Sequence, residues 1–456
     1  MARRATRPEL TPEQRAESDR IHAAMLPAAA ADLRELADLL ATKDDSNTLG
    51  ATEFAVRDIV HRIGAKALRS ALAGRKGGYH GSPTACPCCR ESAEFDRWRA
   101  KPVVTAVGQV RVDRAYYLCK HCHAGHCPRD TALGLTRVDP SRGATEAVAL
   151  AGALSGFAAA AAKTLPKPAG LRVSESTVER VTERVGRDVG ERRGAGRTFG
   201  GRSRGEWSKG AEGQTVAYVS ADATGVGMPG ARGGTAEGRM ASVGMVWSAG
   251  RPGQVRYACG LTGGLKALGE SLRNQAAQVG RGRADRWVAI SDGGAGIEDW
   301  LRVNFPRVEA VILDFYHAAE YLGEWAKVLH PDDAEARDAA GAWCHRREHE
   351  GGEVVRRDLA GIDVSGRSGA AQEAHRVLLV YFGNQAPRMD YPRYRAKGWL
   401  IGSGPVEAAC KQVVGQRMKG TGMRWGEAGA DALCHLRALF RSEKTQRDDY
   451  WTSPAA

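Results

Sequence analysis

Three acidic residues stand where carboxylates at strand ends and a helix start can converge on divalent cations. Asp222 lies inside the strand-like run VSADATGV, followed by small residues that let a phosphate backbone come close. Asp292 ends the run RWVAISD and is followed by Gly293 and Gly294. Glu407 falls in the first turn of a helix opening after GSGP, where Pro405 suits the first helical position. Such a set can hold two Mg²⁺ or Mn²⁺ ions about 3.5–4 Å apart, one activating a water or a 3′-hydroxyl and the other stabilising the leaving oxygen of an in-line phosphoryl transfer. Taken singly, each acid has a plainer use: a turn cap, a bond to the Gly-Gly loop, or a favourable place in a helix dipole. Their joint order on a basic chain favours the metal reading. Asp314 and His317, in LDFYHAAEYL, add an acid ending a strand and a histidine three residues into the next helix. The imidazole would lie near the same strand edge, to contact a phosphate or orient a nucleophile. Asp314 is also the rival of Asp292 for the second metal-binding carboxylate.

A second group of residues calls for a softer metal. Of the ten cysteines, six fall between Cys86 and Cys127. Cys86 and Cys89 make one C-x2-C knuckle, and Cys119 and Cys122 make another roughly 30 residues on, the four thiolates a tetrahedral Zn²⁺ needs. Between them VTAVGQVRVDRAYYL alternates apolar and polar residues, as the hairpin of a zinc ribbon does. Cys88, His121, His123, His126 and Cys127 are spare donors, so the ligand set stays open at this point. The role is structural, because so small a ribbon has little core without metal.

These sites need elements to hold them. Residues 1–80 read as helical, 81–140 as the zinc ribbon, and 141–193 as a helix-turn-helix that binds DNA. In that motif ATEAVALAGALSGFAAAAAKTL is the first helix and PKPAGLRVS the turn. ESTVERVTERVGRDV is the second helix, capped by Ser174, with Arg180 among its groove-facing residues. Residues 194–214, rich in Gly and Arg, read as a mobile basic linker. From Thr215 three strand-like runs, a helix, a strand, a helix, a strand and a further helix form a mixed sheet over 215–330. That order matches the ribonuclease-H-like topology. An all-helical insertion follows over 331–397, and 398–456 returns to the core with the helices that carry Glu407. Lys411, Arg417, Lys419 and Arg424 form a basic run behind it, suited to phosphate contacts.

Composition sets the outer limits. With 66 Lys+Arg against 53 Asp+Glu the formal charge is +13, which favours a polyanionic partner. At 43% hydrophobic residues the chain is not a disordered one. The most apolar run, AVALAGALSGFAAAAAKTL, is broken by Gly and Ser and is no membrane span. The charged start MARRATRPEL has no apolar core of the signal-peptide kind, so the expected location is the cytoplasm.

Several of these pieces carry a resemblance. The paired knuckles with YYLCKHCHAG, LRVSESTVERVTERVG, SADATGV, AISDGGAGIEDWLRVNFPRVEAVILDFYHAAEYL and GSGPVEAACKQVVGQRMKGTGMRW resemble the bacterial DDE transposases of the ISKra type, relatives of the Mutator-like transposases. The resemblance runs from the zinc knuckles to Trp451. It implies that Asp222, Asp292 and Glu407 are the catalytic triad, and that Asp314 and His317 match a Cys/Asp-x2-His motif of related families. It also implies a transposase that cleaves insertion-sequence ends in duplex DNA and joins them to target DNA, working as a homodimer or larger assembly with Mg²⁺ or Mn²⁺ and Zn²⁺. Two other classes compete: a non-catalytic DNA-binding regulator on the same scaffold, and a nuclease of the same fold that hydrolyses without joining.

Overall fold

The computed structural model describes residues 10–42, 49–73, 77–135, 140–201, 207–230, 237–250 and 254–453. The chain divides into two units, Met1–Val181 and Thr182–Ala456, each mixing helices with a sheet.

In the first unit, helix α1 (Pro12–Ala41) opens on a reciprocal cap in which Thr11 Oγ1 accepts from the Gln14 N–H and Gln14 Oε1 accepts from the Thr11 N–H. Helix α2 (Leu49–Ala73) pairs with it: Asp32, buried on α1, meets Lys66 at 2.7 Å and Arg62 at 3.4 Å. Strands β1 (Thr84–Ala85), β2 (Ser92–Thr105), β3 (Gly108–Cys119) and β4 (Gly125–His126) form an antiparallel sheet in chain order. The alternation expected of a hairpin is present, and its inward residues Val103, Val110 and Val112 pack with Ala65, Leu68 and Leu72 of α2. Short helix α3 (Pro128–Ala132) follows, then α4 (Arg142–Leu154), α5 (Phe157–Ala159), a π turn (Ala160–Thr164), α6 (Pro166–Ala169) and α7 (Glu175–Gly194).

Two expectations change here. The first helix of the helix-turn-helix is not continuous, because Ser155 leaves the helical region at φ −137° and ψ 165° and Gly156 follows in extended geometry. Ser174 does cap α7, accepting from the Thr177 N–H at 3.2 Å. The boundary between units also falls inside α7 rather than in the 194–214 segment. Beyond it, α7 lies so close to helix α17 (Glu427–Arg441) that a Cβ at Gly186 would come within 2.1 Å of the Ala432 carbonyl oxygen. The described parts of 194–214 are fastened, not a free linker: Phe199 is fully buried, Trp207 joins the sheet core, and the Gly200 N–H donates to Asp449. Residues 202–206 of that segment lie outside the described residues.

The second unit is built on a sheet with strand order β10-β9-β6-β7-β8. Its strands are β5 (Ser208–Lys209), an edge piece on β6, then β6 (Thr215–Met228), β7 (Glu237–Trp247), β8 (Arg256–Gly260), β9 (Arg286–Ser291) and β10 (Val308–Leu313). β7 runs antiparallel to both β6 and β8, while β9 lies parallel to both β6 and β10. Helices α8 (Gly264–Gln278) and α9 (Ile297–Asn304) cover one face, burying Leu272 and Leu301 against Ala217, Val219 and Ala221 of β6. Each such leucine contributes about 1.5–3 kcal/mol.

Period-two alternation then sends Tyr218, Ser220 and Asp222 to the other face. From β10 the chain enters α10 (Phe315–Leu329) and the helices α11 (Asp333–Glu350), α12 (Gly352–Ala360), α13 (Gly369–Gln385) and α14 (Tyr391–Ala396), with no strand between 331 and 397. It returns through α15 (Gly404–Ala409), a π segment (Cys410–Gly415), α16 (Gln416–Met418), α17 (Glu427–Arg441) and α18 (Lys444–Thr452). Among the described residues no helix is long and apolar enough to cross a membrane.

Candidate functional site

Asp222, midway along β6, and Asp292, just after β9, lie past the end of the parallel β6–β9 ladder. Parallel pairing runs from Val216 with Arg286 to Ser220 with Ile290. Asp222 stands two residues beyond Ser220 on β6, and Asp292 two residues beyond Ile290, just past the end of β9; the two are close enough for the charge of Asp292 to act on Asp222. Burial pushes the Asp222 carboxyl above the usual carboxylate range, and the charge of Asp292 adds to that. Hydrogen bonds from the Ala223 N–H at 2.6 Å and the Cys410 thiol at 3.3 Å, together with nearby His317, work the other way. Asp292 follows β9 directly and accepts from the Gly294 N–H at 3.0 Å, so its second oxygen is not used by that turn.

Asp314 has a different place. It is fully buried and begins α10, one oxygen accepting the His317 N–H at 2.7 Å and the other the Ser403 N–H. Both oxygens are therefore committed to backbone donors, which makes Asp314 a cap and a tie rather than a free metal ligand. That separates it from its rival, the half-buried Asp292. His317 itself is partly exposed, 3.5 Å from Glu320 and edge-on to Tyr321.

Glu407 sits in the first turn of α15, exposed, with the Ser403 hydroxyl donating to it at 3.3 Å. Its helix packs on β6 and β7, and the contact that fastens it to the acids is Cys410. That thiol stands three residues on, on the same helical face, and reaches Asp222. Burial, then the Asp222 charge, pushes the Cys410 thiol well above its ordinary range, so it stays a neutral donor. Sequence reasoning passed over Cys410; the i, i+3 spacing from Glu407 was the available signal. It also passed over Arg388, buried against the Val311 carbonyl at 3.3 Å and the Ser291 hydroxyl, and Gln385, which donates to the Gly293 carbonyl at 3.3 Å. These two residues of the all-helical region brace the end of β9 beside Asp292.

The basic run divides. Lys419 donates to Thr224, two residues beyond Asp222 on the same strand face, and Lys411 and Arg424 are exposed. Arg417 does not fit the expected phosphate contact. It is 3% exposed, its guanidinium 4.9 Å over the Trp425 ring, and burial lowers its pKa to about 10. It is a packing residue whose stem and stacked head fill the core. Arg417→Ala is expected to lower stability by about 1–3 kcal/mol in denaturant unfolding, whereas Lys419→Ala should leave the unfolding curve in place. Arg180 lies on α7 and is half-buried.

The four cysteines converge as their spacing required. Cys86, Cys89, Cys119 and Cys122 place their sulfurs within 4.8 Å of one another, with the 86–122 and 89–119 pairs at 3.6 Å. Sulfurs of a tetrahedral zinc site at Zn–S of about 2.3 Å lie about 3.8 Å apart, and a disulfide would need about 2.05 Å. The set therefore fits a zinc-sized ion. N–H groups of Cys89 and Cys88 point at the Cys86 sulfur and hold its thiol down at about 7. The spare donors are outside this group. Among the described residues it is the sole group of three or more ligand atoms so close, so Asp222, Asp292 and Glu407 do not form such a set.

The Asp222 shift has a stability consequence. An acid whose folded pKa is raised binds a proton longer in the folded state, so stability falls as pH rises through the window between its unfolded and folded values. Asp222→Asn removes that term. In buffer free of divalent ions the variant is expected to melt higher than wild type at neutral pH, with the difference shrinking below the usual carboxylate range.

A scan against models of protein families finds no match to this chain, and a search of the curated proteins finds none either.

Proposed function

We propose that the protein is a DNA transposase that cuts the ends of its element and joins them to target DNA. The observation that carries this reading is that Asp222 of β6 and Asp292, just after the parallel neighbour β9, are close enough for the charge of one to act on the other, with Glu407 on a helix fastened to Asp222 through Cys410. We read the core as ribonuclease-H-like. The strand order β10-β9-β6-β7-β8, with three antiparallel strands followed by two parallel ones, supports this. The all-helical stretch before Glu407 is the insertion.

Asp222 and Asp292 would hold Mg²⁺ or Mn²⁺, and Glu407 completes the set by turning its exposed side chain toward them. An ion bound by Asp222 and Asp292 would supply charge neutralisation for the phosphate and a lowered pKa for the attacking hydroxyl. Lys419, above Thr224, meets the negative charge of the scissile phosphate as it comes in over the small residues after Asp222. His317, close enough to Asp222 to act on its charge, is placed to contact a phosphate oxygen or the leaving hydroxyl. Asp314 keeps α10 and the Ser403 loop in register so that His317 and Glu407 face the same strand ends. Duplex DNA is the partner, and bringing two ends together calls for a dimer or larger assembly.

The test is strand transfer by the purified protein on duplex DNA carrying its own element ends, with Mg²⁺ or Mn²⁺ and labelled 3′ ends. Joined products support the transposase. Cleavage with water alone, leaving no joined strand, makes it a nuclease of the same fold. Tight binding without cleavage under either ion makes it a regulator and removes the catalytic role of the acids.

A further inference from the structure

The first unit carries a cationic groove between α2 and the β2–β3 hairpin. Two adjoining hollows of about 560 and 450 Å³ share Arg69 and Arg111 along their walls. Helical spacing puts Lys66 and Arg69 on one wall, and period-two alternation puts Trp98 and Arg111 on the other. Asp113 is the one carboxylate in the lining, 3.9 Å from Arg111 with both side chains about two-thirds exposed. Lys66, on the wall, is paired at 2.7 Å with Asp32 of α1, which is not part of the lining.

An aromatic edge accompanies the charge. Trp98 is 54% exposed and Tyr79 42%, yet neither ring is loose: Phe95 braces Trp98 at 5.8 Å and Tyr79 at 5.2 Å. A fixed tryptophan face left in water beside arginines has unused stacking surface. In duplex DNA the bases are stacked on one another and hidden from such a wall. In a single strand each base offers a free face while its phosphates still seek cations.

We infer that this groove binds single-stranded DNA, with Arg69 and Arg111 on the phosphates and a base stacked on Trp98. The groove lies wholly in the first unit and asks nothing of the acids, so it stands or falls apart from the transposase reading.

The test uses the full-length protein in zinc-containing buffer without Mg²⁺ or Mn²⁺, titrated against a fluorescent oligo-dT strand and, separately, a duplex of equal length. Trp98→Ala should weaken oligo-dT binding roughly 10-fold or more, and Trp98→Phe should keep most of it. Arg111→Ser should flatten the salt dependence by about 0.7 in log–log slope, the value for one phosphate on a single strand. Arg97→Ser is the control, because Arg97 pairs with Tyr116 while Trp98 pairs with Ala115, which puts Arg97 on the opposite face of the hairpin. It should change affinity less than about 2-fold.

Zinc content measured on each variant reports an intact hairpin. Wild-type affinity in zinc-loaded Trp98→Ala overturns the proposal, as does equal weakening by Arg97→Ser and Arg111→Ser. Duplex binding that falls with Trp98→Ala as much as oligo-dT binding does overturns it too.

Discussion

Asp292→Asn is expected to abolish metal-dependent cutting and joining, by about 10³-fold or more, while leaving DNA affinity and the unfolding curve close to wild type. The size follows from what the change removes: one of two carboxylates that share a strand edge and would carry the divalent ions, replaced by a neutral isostere in the same turn. Asp222→Asn should be equally inactive. Asp314→Asn is expected to separate from both. Its carboxylate accepts two backbone N–H groups in a fully buried position, so the amide variant turns an acceptor into a donor opposite one of them. The expected signature is a lowered unfolding midpoint, with activity falling in proportion to the folded fraction. Kinetics of strand transfer and denaturant unfolding on the three variants decide this. If Asp292→Asn retains activity and Asp314→Asn, still folded, loses it, the assignment of the two acids is reversed.

Much of this site could be read before any coordinates. Three short β runs, then helices alternating with single strands, fixed the element order of the second unit, because period-two and period-3.6 patterns separate cleanly in those segments. Asp222 inside a strand and Asp292 at a strand end followed from the same patterns, as did the pairing of the two cysteine knuckles across a hairpin. The missed features depend on which way a side chain turns once distant segments pack. Arg417 reads as one more cation in a basic run, yet the π segment before it rotates the helix and carries its side chain over Trp425. The Gly/Arg-rich composition of 194–214 predicts a linker, but composition understates Phe199 and Trp207. Two buried aromatic rings outweigh the entropy of the glycines around them. The end of the expected first helix of the helix-turn-helix at Ser155–Gly156 was present as a local signal but was outvoted by the alanines around it.

Stripping the metal, or replacing Cys119 by Ser, is expected to unfold the β2–β3 hairpin. The buried core around the sulfurs consists of Cys86, Ala93, Ala115, Tyr117 and Cys119, of which Tyr117 is the one large side chain. Burying it contributes about 1.5–3 kcal/mol. Structural zinc contributes on the order of 10 kcal/mol, so the hairpin around Cys119 cannot hold its geometry once the metal is gone. Four sulfurs at mutual distances suited to zinc, with no metal between them, would also repel as thiolates. The wild-type protein should contain one zinc per chain by atomic spectroscopy. Cys88→Ser should keep it, since Cys88 is exposed and outside the converging set. Cys119→Ser or a strong chelator should lose the metal and open the amides of β2 and β3 to hydrogen exchange. Acidification should act in the same direction, because the ligands must be deprotonated to bind, and zinc release should rise as pH falls. A Cys119→Ser protein with native exchange protection in both strands would show that the hairpin rests on α2 and its valines rather than on a metal.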